Sequence, residues 1–252
     1  MKIDFPVPKQ YKQLISLWQE AFGDTEEFID GFFCTAFSPA RCRCIVINKK
    51  VAAALYWMDV RKDDQRFAYI YAVAVAEARR GKGLGKALLA DAQAHLTLRG
   101  YDGILLVPGS ESLRSYYEKH GYVTCTRVHE FPAQSGETAV TLQRINREEY
   151  GKFRRKLLPE GAGVEQEENI AFLETLAFFY RGENLLLAAT IENGKLWCPE
   201  YLGDPAAAPG VLKALNCAEG HFRTPGDTFP FAMFLPLTGE ATRPKHLSFA
   251  FD

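Results

Sequence analysis

Between Val75 and Lys86 the chain reads Val-Ala-Glu-Ala-Arg-Arg-Gly-Lys-Gly-Leu-Gly-Lys, with glycines at 81, 83 and 85 and cations at 79, 80, 82 and 86. A run rich in aromatic and β-branched residues, Phe67 to Val75, precedes it, and a helical pattern follows from about Leu84. The first turn of a helix leaves backbone N–H groups without partners in the helix itself. Those donors, with the aligned peptide dipoles, favour an anion. Glycines let the turn fold tightly and let a ligand approach the backbone. Arg80, Lys82 and Lys86 put positive charge at the same place. The chemistry this supports is the holding of a diphosphate.

Other phosphate loops fit less well. A Walker loop needs Gly-x4-Gly-Lys-Ser/Thr, which is absent. The dinucleotide fingerprint needs Gly-x-Gly-x-x-Gly early in a parallel βαβ unit. Here the spacing is Gly-x-Gly-x-Gly, and an antiparallel meander comes first. A purely structural Gly-rich turn remains an alternative while the loop is considered alone.

Two blocks taken together resemble the GNAT (GCN5-related) superfamily of N-acetyltransferases. Arg80-Gly81-Lys82-Gly83-Leu84-Gly85 is similar to that family's Arg/Gln-x-x-Gly-x-Gly/Ala signature, with Tyr69 to Val75 as the strand before it. Ser110 to Tyr122, reading Ser-Glu-Ser-Leu-Arg-Ser-Tyr-Tyr-Glu-Lys-His-Gly-Tyr, resembles the Asn-x-x-Ala-x-x-Leu-Tyr-x-Lys-x-Gly-Phe block. The resemblance covers residues 1 to about 143, with the motifs between 70 and 122.

The resemblance implies acetyl-coenzyme A as cosubstrate and no metal. It implies that backbone groups of Val73, Ala74 and Val75 pair with the pantetheine amides at a splayed, bulged strand end. Backbone amides from Gly81 through Lys82, Gly83, Leu84 and Gly85 to Lys86 hold the diphosphate, and Arg80 supports the loop or the phosphate. Ser110 stands where the family has a cofactor-touching Asn. Tyr117 stands where a tyrosine protonates the departing thiolate, and a phenol is neutral at pH 7 and able to donate. The general base is not legible. Asp59, His129 and water are open, as is a return of the C-terminal segment His246 to Asp252 that would lend its carboxylate. An active N-acetyltransferase and a non-catalytic acetyl-coenzyme A sensor are both compatible with these residues. The acceptor is a small-molecule or peptide amine. Tyr56, Trp57, Tyr69 and Tyr71 are candidates to line its pocket, and equally core residues.

The elements that must position these groups follow from periodicity. A strand at Lys2 to Phe5 opens the chain, and a helix over Gln10 to Phe22 is stopped by Gly23. A second helix follows, with Asp24 as its N-cap and Glu27 in capping-box spacing. Strands Cys44–Ile47 and Val51–Val60 flank a turn at Asn48-Lys49-Lys50, and Phe67–Val75 completes a meander. A helix runs from Leu84 to Leu98, a buried strand over Ile104 to Val107 and a helix over Glu111 to His120. Strands are expected at Tyr122 to His129 and Thr138 to Ile145. The expected fold is α/β, with a mixed, largely antiparallel central sheet flanked by helices, followed by a second, smaller α/β unit.

The expected division is 1–143 and 144–252. Helices at Arg147–Leu157 and Ile170–Ala177, a hairpin of Leu185–Ile191 and Lys195–Leu202 around Glu192-Asn193-Gly194, a helix at Pro209–Ala218 and a strand at Phe229–Leu235 repeat the order of the first unit in outline. Where the Gly-rich loop would stand, Leu202 to Gly210 carries none of its pattern. A partial duplication and an unrelated extension both fit.

Composition bounds the rest. The 252 residues carry a formal net charge of -1 and 47% hydrophobic residues. That balance supports a full core and gives no electrostatic argument for nucleic acid or anionic membrane. No stretch reaches membrane-spanning length, and the opening residues lack a signal-peptide core, so a cytoplasmic setting is expected. The six cysteines include Cys42-Arg43-Cys44, which lacks redox or zinc spacing. Oligomeric state is not legible.

Overall fold

A computed structural model describes residues 2–247, and they fall into two compact units. Of the described residues, the first comprises 2–106 together with 234–242, and the second comprises 107–233 with 243–247.

In the first unit β1 (Lys2–Asp4) is followed by α1 (Tyr11–Phe22) and α2 (Glu26–Thr35). β2 (Cys42–Ile47), β3 (Lys50–Lys62) and β4 (Gln65–Val75) form the antiparallel meander. α3 (Leu84–Leu98) then crosses to β5 (Gly103–Leu106), which runs parallel to β4. The strand order runs β1-β2-β3-β4-β5 and continues with β15 (Met233–Pro236) from late in the chain. Asn48 and Lys49 adopt φ of 52° and 64°, the left-handed pair that a two-residue hairpin turn requires. Consecutive residues of a strand point to opposite faces. Tyr56 meets Trp18 of α1, whereas Trp57 meets His95 of α3, so α1 and α3 cover opposite faces of the sheet. Apolar residues of both helices, among them Leu14, Leu17, Leu88 and Leu96, are buried on it.

The second unit contains α4 (Glu111–Glu118), β6 (Val123–Thr124), β7 (Arg127–Gln134) and β8 (Gln143–Ile145). α5 (Arg147–Leu157), β9 (Val164–Glu165), α6 (Glu167–Leu176) and β10 (Phe178–Arg181) follow. β11 (Leu186–Glu192), β12 (Lys195–Leu202), α7 (Ala208–Ala214), β13 (Glu219–Pro225) and β14 (Phe229–Pro230) complete it. Its sheet has the order β14-β7-β13-β12-β11-β10-β8. Reading from β8 inward, each of β8, β10, β11, β12 and β13 takes the place that β1, β2, β3, β4 and β5 hold in the first sheet, and the β12–β13 pair is parallel like β4–β5. Beside β5 stands a strand from residues 233–236, and beside β13 stands β7. The first sheet therefore takes its next strand from late in the chain, and the second takes a strand that precedes all its others in sequence.

Several expectations change. The N-cap of α2 is Thr25, whose hydroxyl accepts from the Phe28 amide. Asp24 accepts instead from Trp18 Nε1 at 2.7 Å. The strand expected over Tyr122 to His129 is broken into β6 and β7, because the Cys125 and Thr126 amides turn to the Ala232 carbonyl. Thr138 to Leu142 is not strand, and the Val140 amide bonds to the Gly210 carbonyl. β13 lies where no element was expected, and α7 ends at Ala214 rather than Ala218. The compact units do not part at 143, since β7 belongs to the second sheet and residues 234–242 to the first.

Candidate functional site

β4 and β5 pair at Phe67↔Gly103, Ala68↔Ile104 and Tyr69↔Leu105, and no further. β4 itself runs on to Val75. The register between β3 and β4 shifts from Tyr56↔Tyr71 to Ala54↔Ala74, so Ala72 and Val73 together oppose Leu55. Ala72 carries φ of 52°, a left-handed conformation that costs a residue with a Cβ on the order of 1–2 kcal/mol. The bulge re-aims the strand end, and Val73, Ala74 and Val75 lie in the part of β4 beyond the parallel pairing.

The loop after β4 begins with two fixed points. The Ala76 amide bonds to the Ala52 carbonyl at 2.9 Å, and the Glu77 amide to Glu20 Oε1 of α1 at 2.6 Å. A short 3-10 turn follows at Glu77–Arg79. Gly81 and Gly83 take φ of 73° and 75°, and a Cβ on either would meet nothing within 4 Å. They are needed for backbone conformation, not for lack of space. Gly83 is the N-cap of α3, with no side-chain cap and no acidic residue in the first turn. The amides from Gly81 to Lys86 donate to no group among the described residues. Arg80 Nε reaches the Val75 carbonyl at 3.3 Å and Lys82 Nζ the Ala78 carbonyl at 3.0 Å, so both side chains brace the loop.

These donors fit an anionic diphosphate: successive N–H groups at the positive end of a fifteen-residue helix, flanked by Lys82 and Lys86. The matching stretch of the second unit does not. There the Asp204 carboxylate accepts the Ala206 amide at 2.9 Å, its carbonyl accepts the Ala207 amide, and Pro205 and Pro209 carry no N–H. The second unit nevertheless keeps the bulge. Its register shifts from Thr190↔Trp197 to Ala188↔Glu200, and its parallel pairing stops at Cys198↔Phe222. By that register Pro199 stands at the place of Val73, and Glu200 at the place of Ala74.

Glu200 lies buried under α5. Arg154 Nε donates to both its oxygens at 3.0 and 2.8 Å, and Tyr150 donates its hydroxyl to Oε2. Arg154 Nη2 also meets Glu165 at 2.6 Å. None of these residues was singled out from the sequence, where nothing marks them as a cluster.

Ser110 and Tyr117 lie on α4, in the second compact unit, whereas Val73 to Lys86 lie in the first. Ser110 is the N-cap of α4, and its hydroxyl accepts from the Leu113 amide at 3.2 Å. Tyr117 is buried, and desolvation, with neighbouring Tyr116, pushes its phenol up to about 12. It is neutral at pH 7. Of the residues considered as a base, Asp59 is held by Arg66 at 2.8 Å and Tyr101 at 2.6 Å, opposite Ala68 in the paired part of β4. His129 Nδ1 lies 3.1 Å from Thr228 Oγ1, in the second unit, where it helps line a cleft of about 620 Å³. Of the C-terminal segment, only His246 and Leu247 fall among the described residues. Trp57 does not share a face with Tyr56, which packs among Trp18, Phe32 and Phe33.

Residues 9–122 match the acetyltransferase (GNAT) family model. Among solved structures the chain is similar to a GCN5-related N-acetyltransferase from Kribbella flavida, at 18% identity and TM-score 0.70, over 94% of this chain and 72% of that one. It is similar to an acetyltransferase from Pyrococcus horikoshii at 16% identity and TM-score 0.67, over 98% and 92%. A tandem GNAT protein from the clavulanic acid biosynthesis pathway aligns at 12% identity and TM-score 0.58, over 95% and 99%. At these identities the likeness concerns the fold. Among curated proteins none matches. Residues 9–122, somewhat under half of the chain, are thus similar to a GNAT acetyltransferase domain, a family whose general chemistry is acyl transfer. No helix among the described residues is long and apolar enough to cross a membrane.

Proposed function

We propose that the chain is an N-acetyltransferase that moves the acetyl group of acetyl-coenzyme A to the primary amine of a small molecule or peptide, using one cosubstrate site at the loop from Arg80 to Lys86. The observation that carries this is the row of amides from Gly81 to Lys86 that meet no acceptor at the start of α3. The bulged end of β4 supports the second part of the reading: Val73, Ala74 and Val75 would pair with the pantetheine amides as an added strand would.

In the reaction, the amine nitrogen attacks the thioester carbonyl and the C–S bond breaks. The thiolate takes the Tyr117 proton, and the proton released by nitrogen goes to solvent or a base. A backbone N–H near Val75 meets the charge that develops on the carbonyl oxygen. Binding both reactants turns a bimolecular encounter into an oriented one. The role of Tyr117 rests on the sequence block from Ser110 to Tyr122 and on its neutral phenol.

Release of free thiol from acetyl-coenzyme A over a panel of alkyl-, aryl- and polyamines tests this. Turnover with at least one amine is expected, and Arg80→Glu should abolish cosubstrate binding in calorimetry. A second reading, a module that binds acetyl-coenzyme A without turnover, is favoured by one feature: the Ser110 hydroxyl is already engaged as a helix cap. Heat on binding with no thiol released by any amine would select it. No heat at saturating acetyl-coenzyme A would remove both.

A further inference from the structure

α4 has eight residues, and Arg114 and Tyr117 are its buried side chains. A helix of that length is not stable alone, so its rotation about its own axis is set by what those two residues touch. They stand three apart and share a face. Arg114 is held at each corner of its guanidinium. Nη1 donates to Thr124 Oγ1 at 3.0 Å, and Nη2 to the carbonyls of Pro230 at 3.0 Å and Phe231 at 3.2 Å. Nε lies 3.5 Å from the Glu111 carboxylate. The accepting segment is itself pinned: the Phe231 amide bonds to the Thr126 carbonyl at 2.9 Å, and the Ala232 amide to Thr126 Oγ1 at 3.0 Å. β14, which ends at Pro230, pairs with β7.

A planar fork gripping consecutive carbonyls of a fixed segment fixes direction as well as distance, which a lysine ammonium does not. We propose that Arg114 is the positioning residue for Tyr117: it sets the rotation of α4 against the Pro230–Phe231 carbonyls and thereby aims the phenol. The last part of the chain thus supplies the anchor for the acid. The inference rests on the role of Tyr117 proposed above, and the test separates the two.

The kcat of R114A, Y117F and the double variant is measured with acetyl-coenzyme A and an amine that the panel shows to be turned over. The dissociation constant for acetyl-coenzyme A and the Tm are measured alongside. Y117F is expected to lower kcat by about 10²- to 10⁴-fold. R114A should lower it at least about tenfold, in line with the cost of a misplaced group, and should leave the acetyl-coenzyme A affinity unchanged. Adding R114A to Y117F should cost nothing further. If R114A does not fold, R114K enters the same cycle, with a smaller loss in the wild-type background and none in Y117F. Equal loss from the Arg114 substitution in both backgrounds overturns the positioning role alone. Y117F at wild-type kcat overturns that role together with the assignment of the acid.

Discussion

At the scale of single residues, the loop depends on backbone conformation that few residue types adopt. Gly83 is the clearest case, because it caps α3 at φ of 75° with open space where a Cβ would stand. Any effect of substitution there is conformational and not steric. Gly83→Ala should cost about 1–2 kcal/mol of stability, measured by urea unfolding, if the left-handed conformation persists. It should weaken acetyl-coenzyme A binding, measured by calorimetry, if the cap relaxes to negative φ and turns its amide away. Unchanged stability and unchanged affinity together would mean that the capping geometry is not required. The conformation of this loop was readable from residue types, since glycines at this spacing supply the left-handed turns that lead into α3. Arg114 was not readable. Its partners are carbonyls 116 and 117 positions away, and a backbone acceptor leaves no trace in the sequence.

At the scale of elements, the two bulged strands compare directly. β4 has Val73 at its bulge, while β12 has Pro199 there, which has no N–H. β4 carries Ala74 where β12 carries Glu200, locked by Arg154 and Tyr150. The loop after β4 presents amides, while the loop after β12 closes on Asp204. On the function proposed above, the second unit shares the strand order but lacks the groups that would hold a cosubstrate. Titration should give one acetyl-coenzyme A per chain, and Asp204→Ala should leave that affinity within about twofold while Arg80→Glu removes it. A stoichiometry of two would contradict this division. The hairpins around Asn48-Lys49 and Asn193-Gly194 and the span of α3 were legible because turn chemistry and helical period are local signals. β13 was not, because Glu-Gly-His-Phe-Arg-Thr-Pro alternates weakly and becomes a strand only between β12 and β7.

At the scale of the molecule, the buried charges of the second unit set its response to acid. Arg154 lies between Glu200 and Glu165, all three almost fully buried, and removing one partner from such a group typically costs about 3–5 kcal/mol. His246 is buried, and desolvation lowers its imidazole from 6.5 to about 4, with Glu200 opposing the shift and Arg154 adding to it. The unfolded chain takes up that proton near pH 6.5, and the folded chain only near pH 4. Stability is therefore unaffected by this group above about pH 6.5 and falls as pH drops from there to about 4, by up to about 3 kcal/mol. Urea unfolding across that range should show the loss, and His246→Leu should flatten it. A wild-type curve that stays level between pH 6.5 and 4 would show that this histidine is not held neutral. The unit boundary lay beyond sequence reading for a related reason. Local pattern finds strands but does not say which sheet each joins: β6 and β7 are neighbours in sequence yet join different sheets, and β15 joins the sheet farther away in the chain.

The late arrival of β15 has a consequence for how the protein is made. β5 is complete once Leu106 has been added, yet its neighbour, Met233–Pro236, is added more than a hundred residues later. Phe234 then packs on Phe67 and over Gly103, and Thr242 ties to Gln65 and Lys62. At ordinary rates of translation the wait is on the order of ten seconds. Throughout it the nascent chain presents an open strand edge beside Gly103, so the half that leaves the ribosome first cannot finish its sheet until most of the second half has been made.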